Sequence, residues 1–364
     1  MKWQYAIMHL DDMVATIDSE GLCQILLPDF LPYNLYFEEN TDISVRIENL
    51  NNFYYWCSTR VLTLDRTFAK EILNAIRAGQ GRTDRERARI SLSYRCVTLT
   101  DVFWVKRTDE MISFSQISLY DHSLSDAFVD VSLLGKALTV QNMELLRPLD
   151  SAGDVSTSGS VPKAWIRRSG VFYLLKDGGQ RDVEAELLAS RIARCFAVKQ
   201  VLYEPDTYQG TPVTRSQLFT STQESIASMD QVDIYAANHD TTRQILVDSC
   251  DPYGYHMMNL VDYLVGNTDR HWGNWGFLID NRTNQPLQLH PLMDFNKSFL
   301  SYGSVEGAIC LTTEKPMNQK EAALWAVRTV GLNQTDEVRR EWFPDDSLFD
   351  LFSQRLSIVR AAAK

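Results

Sequence analysis

The chain has 364 residues, 45% hydrophobic and 23% charged, which is enough length for two separate cores and the balance of an ordinary globular protein. No apolar run reaches the about 20 residues needed to span a bilayer, and Asp11 and Asp12 interrupt the first apolar stretch. A secretory leader and membrane contact are thereby disfavoured, and a cytoplasmic location is expected. The formal charge of −11 and a pI of 5.1 repel phosphate backbones and disfavour direct nucleic-acid binding.

Six cysteines (Cys23, Cys57, Cys96, Cys195, Cys250, Cys310) form no C-x-x-C pair, and the histidines form no H-x-x-x-H pair. Buried free thiols are expected, with neither a disulfide framework nor a transition-metal site.

Residues 1–147 read as an α+β domain of unassigned role. Gly21–Leu27 and Ile43–Ile47 are expected as strands, and Arg66–Arg77 as a helix with Phe68, Ile72 and Ile76 on one face. Gly79-Gln80-Gly81 closes that helix, and Arg82–Arg89 reads as a solvated connection or helix face. Leu99–Lys106 then leads into aromatic-rich sequence around Trp104 and Phe114.

The stretch Asp150–Pro162 is abruptly rich in Ser, Gly and Asp, and its default reading is a linker. Beyond it come a strand at Lys163–Arg167, a turn at Arg168-Ser169-Gly170 and a strand at Val171–Lys176. A helix over about Val183–Phe196 follows, then strands at Val198–Tyr203 and Val213–Phe219. One helix against a small antiparallel sheet is the expected arrangement. From Tyr255 onward helices dominate, at Tyr255–Val265, Asn318–Val330 and Asp345–Arg360.

The chemistry is concentrated in Val265–Phe299, where a helix ends at Gly266 and a loop carries Asp269, Arg270, His271 and Asn274. Gly276–Asp280 and Leu287–Leu292 read as a hairpin, with Asp294 just past it. Phosphoryl transfer needs one carboxylate for the attacking hydroxyl and further oxygen ligands for magnesium. Asp269 and Asn274 stand in the D-x-x-x-x-N interval of a protein-kinase catalytic loop, and Asp294 takes the place of a metal-binding aspartate after a hairpin. The same residues also fit a surface ion pair and a turn; the helix–loop–hairpin–Asp order favours the catalytic reading.

Upstream, Lys176 ends an apolar strand, and Glu184 or Glu186 in the next helix is available to pair with it. Periodicity does not choose between the two acids. Ser156-Thr157-Ser158-Gly159-Ser160, with Lys163 after it, stands where a phosphate-covering loop belongs, although it carries a single glycine. His271 is a γ-phosphate donor or a brace for the loop. Ser216–Phe219, with Leu218 and Phe219, is a candidate for the segment that receives adenine or for ordinary packing.

NTDRHWGNWG with PLMDFNKSF, preceded by STSGSVPKAWIRRSGVFYLLK and EAELLASRIAR, resembles the HipA-like serine/threonine kinases of bacteria. The DRH-x-x-N form is also similar to the phosphatidylinositol-kinase-like branch. The match spans roughly residues 150–364, and LTLDRTFAKEIL and LTDVFWVK resemble leading segments of some HipA-like proteins.

The resemblance implies a two-lobed protein-kinase-like α+β fold. A small antiparallel sheet lobe with one main helix (residues 148–220) would precede a larger helical lobe (221–364), behind the N-terminal α+β extension. It implies ATP and Mg²⁺ as cofactors, Asp269 as catalytic base with His271 beside it, and Asn274 and Asp294 as metal ligands. Ser158, Gly159, Ser160, Lys163, Lys176, Glu186, Leu218 and Phe219 would contact the nucleotide. Glu186 matches the family's helix glutamate better than Glu184. Autophosphorylation at Ser156, Thr157, Ser158 or Ser160, a protein substrate and a small DNA-binding antitoxin-type partner are further implications. DFN stands where many relatives have a second acid, so the number of magnesium ions stays open. Other readings on the same fold are a nucleotide-binding pseudokinase, a lipid or small-molecule kinase and a nucleotidyl transferase.

Overall fold

The computed structural model describes residues 3–122, 124–136, 154–157 and 159–363. The chain divides into two compact units. The first comprises Met1–Lys176, Leu218–Ile226 and Ile279–Gln285, and the second Asp177–Gln217, Ala227–Leu278 and Pro286–Lys364.

The first unit is organised on an antiparallel sheet of β1 (Gln4–His9), β2 (Asp12–Asp18), β3 (Cys23–Ile25) and β4 (Phe103–Arg107), in the order β3-β2-β1-β4. Gln4 pairs with Asp18 and His9 with Asp12, with a shift in register between Ile7 and Met8. Both faces are covered. Ile7, Ile17 and Val105 pack with Phe53, Trp56 and Cys57 of α1 (Ile43–Ser58), whereas Ala6, Met8 and Trp104 pack with Phe114 and Ile117. A strand buried on both sides shows continuous rather than alternating hydrophobicity.

Ile43–Ile47 is helix, not the expected strand. Asp42 caps α1 by accepting from Ser44 N, and the buried residues Asn49, Phe53, Trp56 and Cys57 follow a helical interval. The expected helix at Arg66–Arg77 is shortened to α2 (Ala69–Ala75), because Phe68 and Arg77 adopt left-handed φ values of 63° and 57°. Arg82–Arg89 enters α3 (Asp84–Ser93) through a capping box between Thr83 and Glu86. α4 (Asp126–Leu134) follows, and then the hairpin β5 (Lys163–Arg168) and β6 (Val171–Lys176). Its turn residues Ser169 and Gly170 both have positive φ, as a two-residue hairpin turn needs.

The second unit holds α5 (Gln180–Ala193) and the hairpin β7 (Tyr203–Tyr208) and β8 (Thr211–Gln217). The expected strand Val198–Tyr203 is not one. Pairing starts at Tyr203, and the preceding stretch makes only an isolated bridge from Gln200 to Leu292. β8 likewise stops at Gln217, short of Phe219.

β9 (Glu224–Ser228), β10 (Gly276–Asp280) and β11 (Gln285–Leu289) form a sheet in the order β11-β10-β9. α6 (Met229–Ala237), α7 (Arg243–Cys250) and α8 (Pro252–Val265) precede the Asp269–Asn274 loop. Every residue of α8 from Tyr255 to Val265 is buried, which marks it as the axis of this unit. α9 (Gln319–Val330) and α10 (Asp346–Ala362) pack on it.

Candidate active site

Asp262 interrupts the apolar face of α8 with a buried carboxylate, and what satisfies it fixes the loop that follows. Arg270, itself 3% exposed, donates from Nε to Asp262 Oδ2 at 2.8 Å and from Nη2 to Asp262 Oδ1 at 3.0 Å. Its remaining Nη1 donates to Asn274 O at 2.8 Å and to Met293 O at 2.6 Å. One guanidinium therefore braces the helix, the end of the Asp269–Asn274 loop and the residue before Asp294. Burial works against its charge, but Asp262, with Asp294 and Tyr203 nearby, holds its pKa above the ordinary arginine value. Its guanidinium carbon also lies 5.4 Å from the centre of the buried Phe295 ring.

Asn267 sets the other end of the loop. Its Nδ2 donates to Asp262 Oδ1 at 3.1 Å, its Oδ1 accepts from Asp269 N at 3.2 Å, and its carbonyl accepts from Gln319 Nε2 at 2.5 Å. Asn274 Nδ2 donates to Asp269 O at 2.8 Å, so Oδ1 is the side-chain atom that Asn274 has to offer a cation. Asp294 has φ 59°, and its N–H donates to Tyr203 OH at 3.0 Å. A left-handed aspartate is a sparsely populated conformation, of the sort that persists when its surroundings hold it.

His271 is exposed, and its Nδ1 accepts from Gly273 N at 3.0 Å, which leaves the ring proton on Nε2 when the imidazole is neutral. A Cβ on Gly273 would come within 2.9 Å of the His271 ring and 3.2 Å of Asp230 Oδ2. Burial pushes the Asp230 carboxyl above the usual range, with the charges of His271 and Arg243 pulling it back and that of Asp233 adding to it.

In α5, Glu186 is 1% exposed and accepts from Thr214 Oγ1 at 2.7 Å. Glu184 is exposed and accepts from Gln180 on the surface. The helix thus turns the second acid inward.

In the first unit, Lys163 and Lys176 are direct cross-strand partners, 7% and 5% exposed. Two ammonium groups so placed are costly unless anionic groups meet them. Gly159 has φ 91°, a backbone conformation that side-chain-bearing residues rarely adopt, and a Cβ there would lie 2.6 Å from Lys163 Nζ, so a substitution would strain the Ser-rich loop and displace that ammonium. Ser160 follows it; Ser158 lies outside the described residues. Leu218 donates to Phe172 O at 3.0 Å and packs with Leu99, Leu119 and Phe172, and Phe219 is half-buried beside it.

Asp269, His271, Asn274, Asp294 and Glu186 belong to the second unit, and Gly159, Ser160, Lys163, Lys176, Leu218 and Phe219 to the first. Among the described residues, no group of three or more His, Cys, Asp or Glu side chains is placed to hold a metal, and no helix is long and apolar enough to cross a membrane. An amide oxygen from Asn274 and a carboxylate from Asp294 suit magnesium, which keeps few protein ligands and prefers oxygen.

No family model matches the sequence, and no curated protein matches it. Solved structures do. A chain from the complex of the Shewanella oneidensis MR-1 toxin–antitoxin system HipA and HipB with its operator DNA superimposes with a TM-score of 0.54. It is 12% identical and covers 99% of this chain and 96% of its own. The fold is kinase-like. The Helicobacter pylori proinflammatory kinase CtkA is similar over 57% of this chain and 91% of its own, at 16% identity and a TM-score of 0.44.

Proposed function

We propose that the protein is an ATP- and Mg²⁺-dependent serine/threonine kinase of HipA-like type. The observation that carries this reading is the Arg270 brace, because one buried guanidinium holds the Asp269–Asn274 loop and the approach to Asp294 in a single arrangement. Phosphoryl transfer rests mainly on such positioning.

In this reading Asp269 accepts the proton of a protein hydroxyl as its oxygen bonds to the γ-phosphorus. The bond from that phosphorus to the β–γ bridging oxygen breaks, and ADP leaves. Asn274 Oδ1 and Asp294 would hold magnesium, which when bound would neutralise phosphate charge. Lys176 pairs with nucleotide phosphates, and Glu186 takes the part of the helix glutamate that the resemblance implies. Gly159, Ser160 and Lys163 cover the phosphates, and the backbone at Leu218 and Phe219 receives adenine. His271 contributes an Nε2–H donor at the mouth of the loop. The complex of HipA with HipB and operator DNA supports a small antitoxin-type, DNA-binding protein as partner, and the net charge of −11 disfavours direct contact of this chain with DNA.

The test is incubation with γ-labelled ATP and Mg²⁺ of the wild type, Asp269→Asn and Asp294→Asn. Labelled protein or consumed ATP in the wild type, reduced at least about a hundredfold in both variants, is expected. Variants as active as the wild type would refute these assignments, and a wild type that neither binds nor hydrolyses ATP would refute the kinase reading.

A further inference from the structure

The Ser-rich loop is anchored by a dipeptide some ninety positions earlier in the chain, in the N-terminal part to which no role has been attached. Arg66 is 3% exposed. Its Nη1 donates to Thr157 O at 2.9 Å and to Thr157 Oγ1, and its Nη2 donates to Lys163 O. Thr67 donates from both its backbone N and its Oγ1 to Ser160 O, at 2.8 and 2.9 Å. The start, crest and end of the loop are thus held by two adjacent residues. Leu62 N adds a bond to Val155 O at 2.8 Å, and Leu99 N donates to the buried Asp154 carboxylate at 3.0 Å.

The local chain is shaped for this contact. Phe68, which follows directly, has a left-handed φ of 63°, unusual for a bulky residue. No carboxylate accepts a hydrogen bond from the Arg66 guanidinium among the described residues, and its Nε is buried without a partner. A buried guanidinium bonded only to loop oxygens is a costly arrangement to keep for surface packing. Its targets are informative: a phosphate is attracted by N–H groups and ammonium and repelled by carbonyl oxygens, and the carbonyls of Thr157, Ser160 and Lys163 are the ones engaged.

We propose that Arg66 and Thr67 are positioning residues for the nucleotide, holding the carbonyls of the Ser-rich loop so that it can receive the triphosphate. The N-terminal part then becomes an obligate component of the nucleotide site. This rests on the kinase reading above.

The experiment compares full-length wild type, Arg66→Met, Arg66→Lys and Thr67→Val. Hydrogen exchange is read over residues 154–163 against β1 and β2, Mg–ATP binding by calorimetry, and KM for ATP against kcat. Arg66→Met is expected to raise loop exchange and KM for ATP about tenfold or more, with kcat within about twofold and β1–β2 exchange unchanged. Thr67→Val moves the same quantities less. Arg66→Lys, with a charge but no fork, recovers part of the loss. Should Arg66→Met fail to fold, the two milder variants carry the comparison. Unchanged loop exchange, or faster exchange with unchanged ATP affinity, overturns the proposal while leaving the kinase reading intact. Wild-type protein that binds no ATP overturns both.

Discussion

Replacing Arg270 by methionine removes the brace while keeping most of the side-chain volume. It strands the Asp262 carboxylate, 4% exposed, with Asn267 Nδ2 as its remaining side-chain donor, and withdraws a donor from each of two carbonyls. Breaking a buried ion pair from one side costs about 3–5 kcal/mol, a large fraction of the about 5–15 kcal/mol by which a domain is stable. The double variant Arg270→Met/Asp262→Leu no longer buries a lone charge, so it should be more stable than the single variant by about 1 kcal/mol or more. It still lacks the bonds to Asn274 O and Met293 O, so phosphoryl transfer should stay at least about a hundredfold down. Urea denaturation followed by tryptophan fluorescence, beside transfer from γ-labelled ATP, separates the two effects. A single variant within about 1 kcal/mol of wild type would refute the energetic argument. A double variant with full activity would refute the positioning one.

His290 gives a pH dependence with a definite sign. Burial, its largest cause, pushes this imidazole down from 6.5 to about 4, and Nδ1 donates to Pro291 O at 2.9 Å. As pH falls below 6.5 the unfolded chain takes up the proton first. The stability from this group is therefore full above pH 6.5 and lost progressively towards pH 4, by about 3 kcal/mol. His290→Gln should flatten that limb of the denaturation-midpoint profile; an unchanged slope would count against it. Thr214→Val removes a donor from the buried Glu186 carboxyl and should cost about 1–3 kcal/mol in urea denaturation, whereas Glu184→Gln, on the surface, should be neutral within about 0.5 kcal/mol.

Sequence pattern found the elements in which one periodicity dominates. The hairpin β5–β6, helices α5, α8, α9 and α10 and the strand pair around Asp280 lie within a few residues of expectation. It failed where two periods compete. Ile43, Val45 and Ile47 alternate as a strand does, yet the Asp42 cap and the Phe53–Trp56–Cys57 face make the segment a helix. β7 reads YEPDTY, with a proline and two acids, and hydrophobicity alone does not mark it; the Gln209-Gly210 turn and the pairing with β8 do. Doubly covered β1 and β2 lack the alternation that announces a one-sided sheet.

The candidate site divides along a different line. Asp269, Asn274 and Asp294 stand out in the sequence because their proposed roles tie residue type to spacing. The groups that hold them are not, because their partners are backbone carbonyls, which every residue has. Arg270 reaches Asn274 O and Met293 O, Gln319 reaches Asn267 O, and Arg66 reaches Thr157 O and Lys163 O. The fully buried Arg355 repeats the pattern on Tyr263 O and Ser304 O, between the rings of Tyr263 and Tyr302. What sequence does offer is the solitary charge in an apolar run. Asp262 in MMNLVDYLV must be answered by a buried cation, and Arg270 is eight residues on. Arg66 has no such marker, since its targets are some ninety or more positions away in sequence. Because each of these arginines uses a planar fork to span separate oxygens, a lysine of equal charge replaces it only in part. In this chain loop geometry is set by guanidinium shape more than by net charge, so arginine-to-lysine exchange should separate the bracing arginines from those that merely carry charge at the surface.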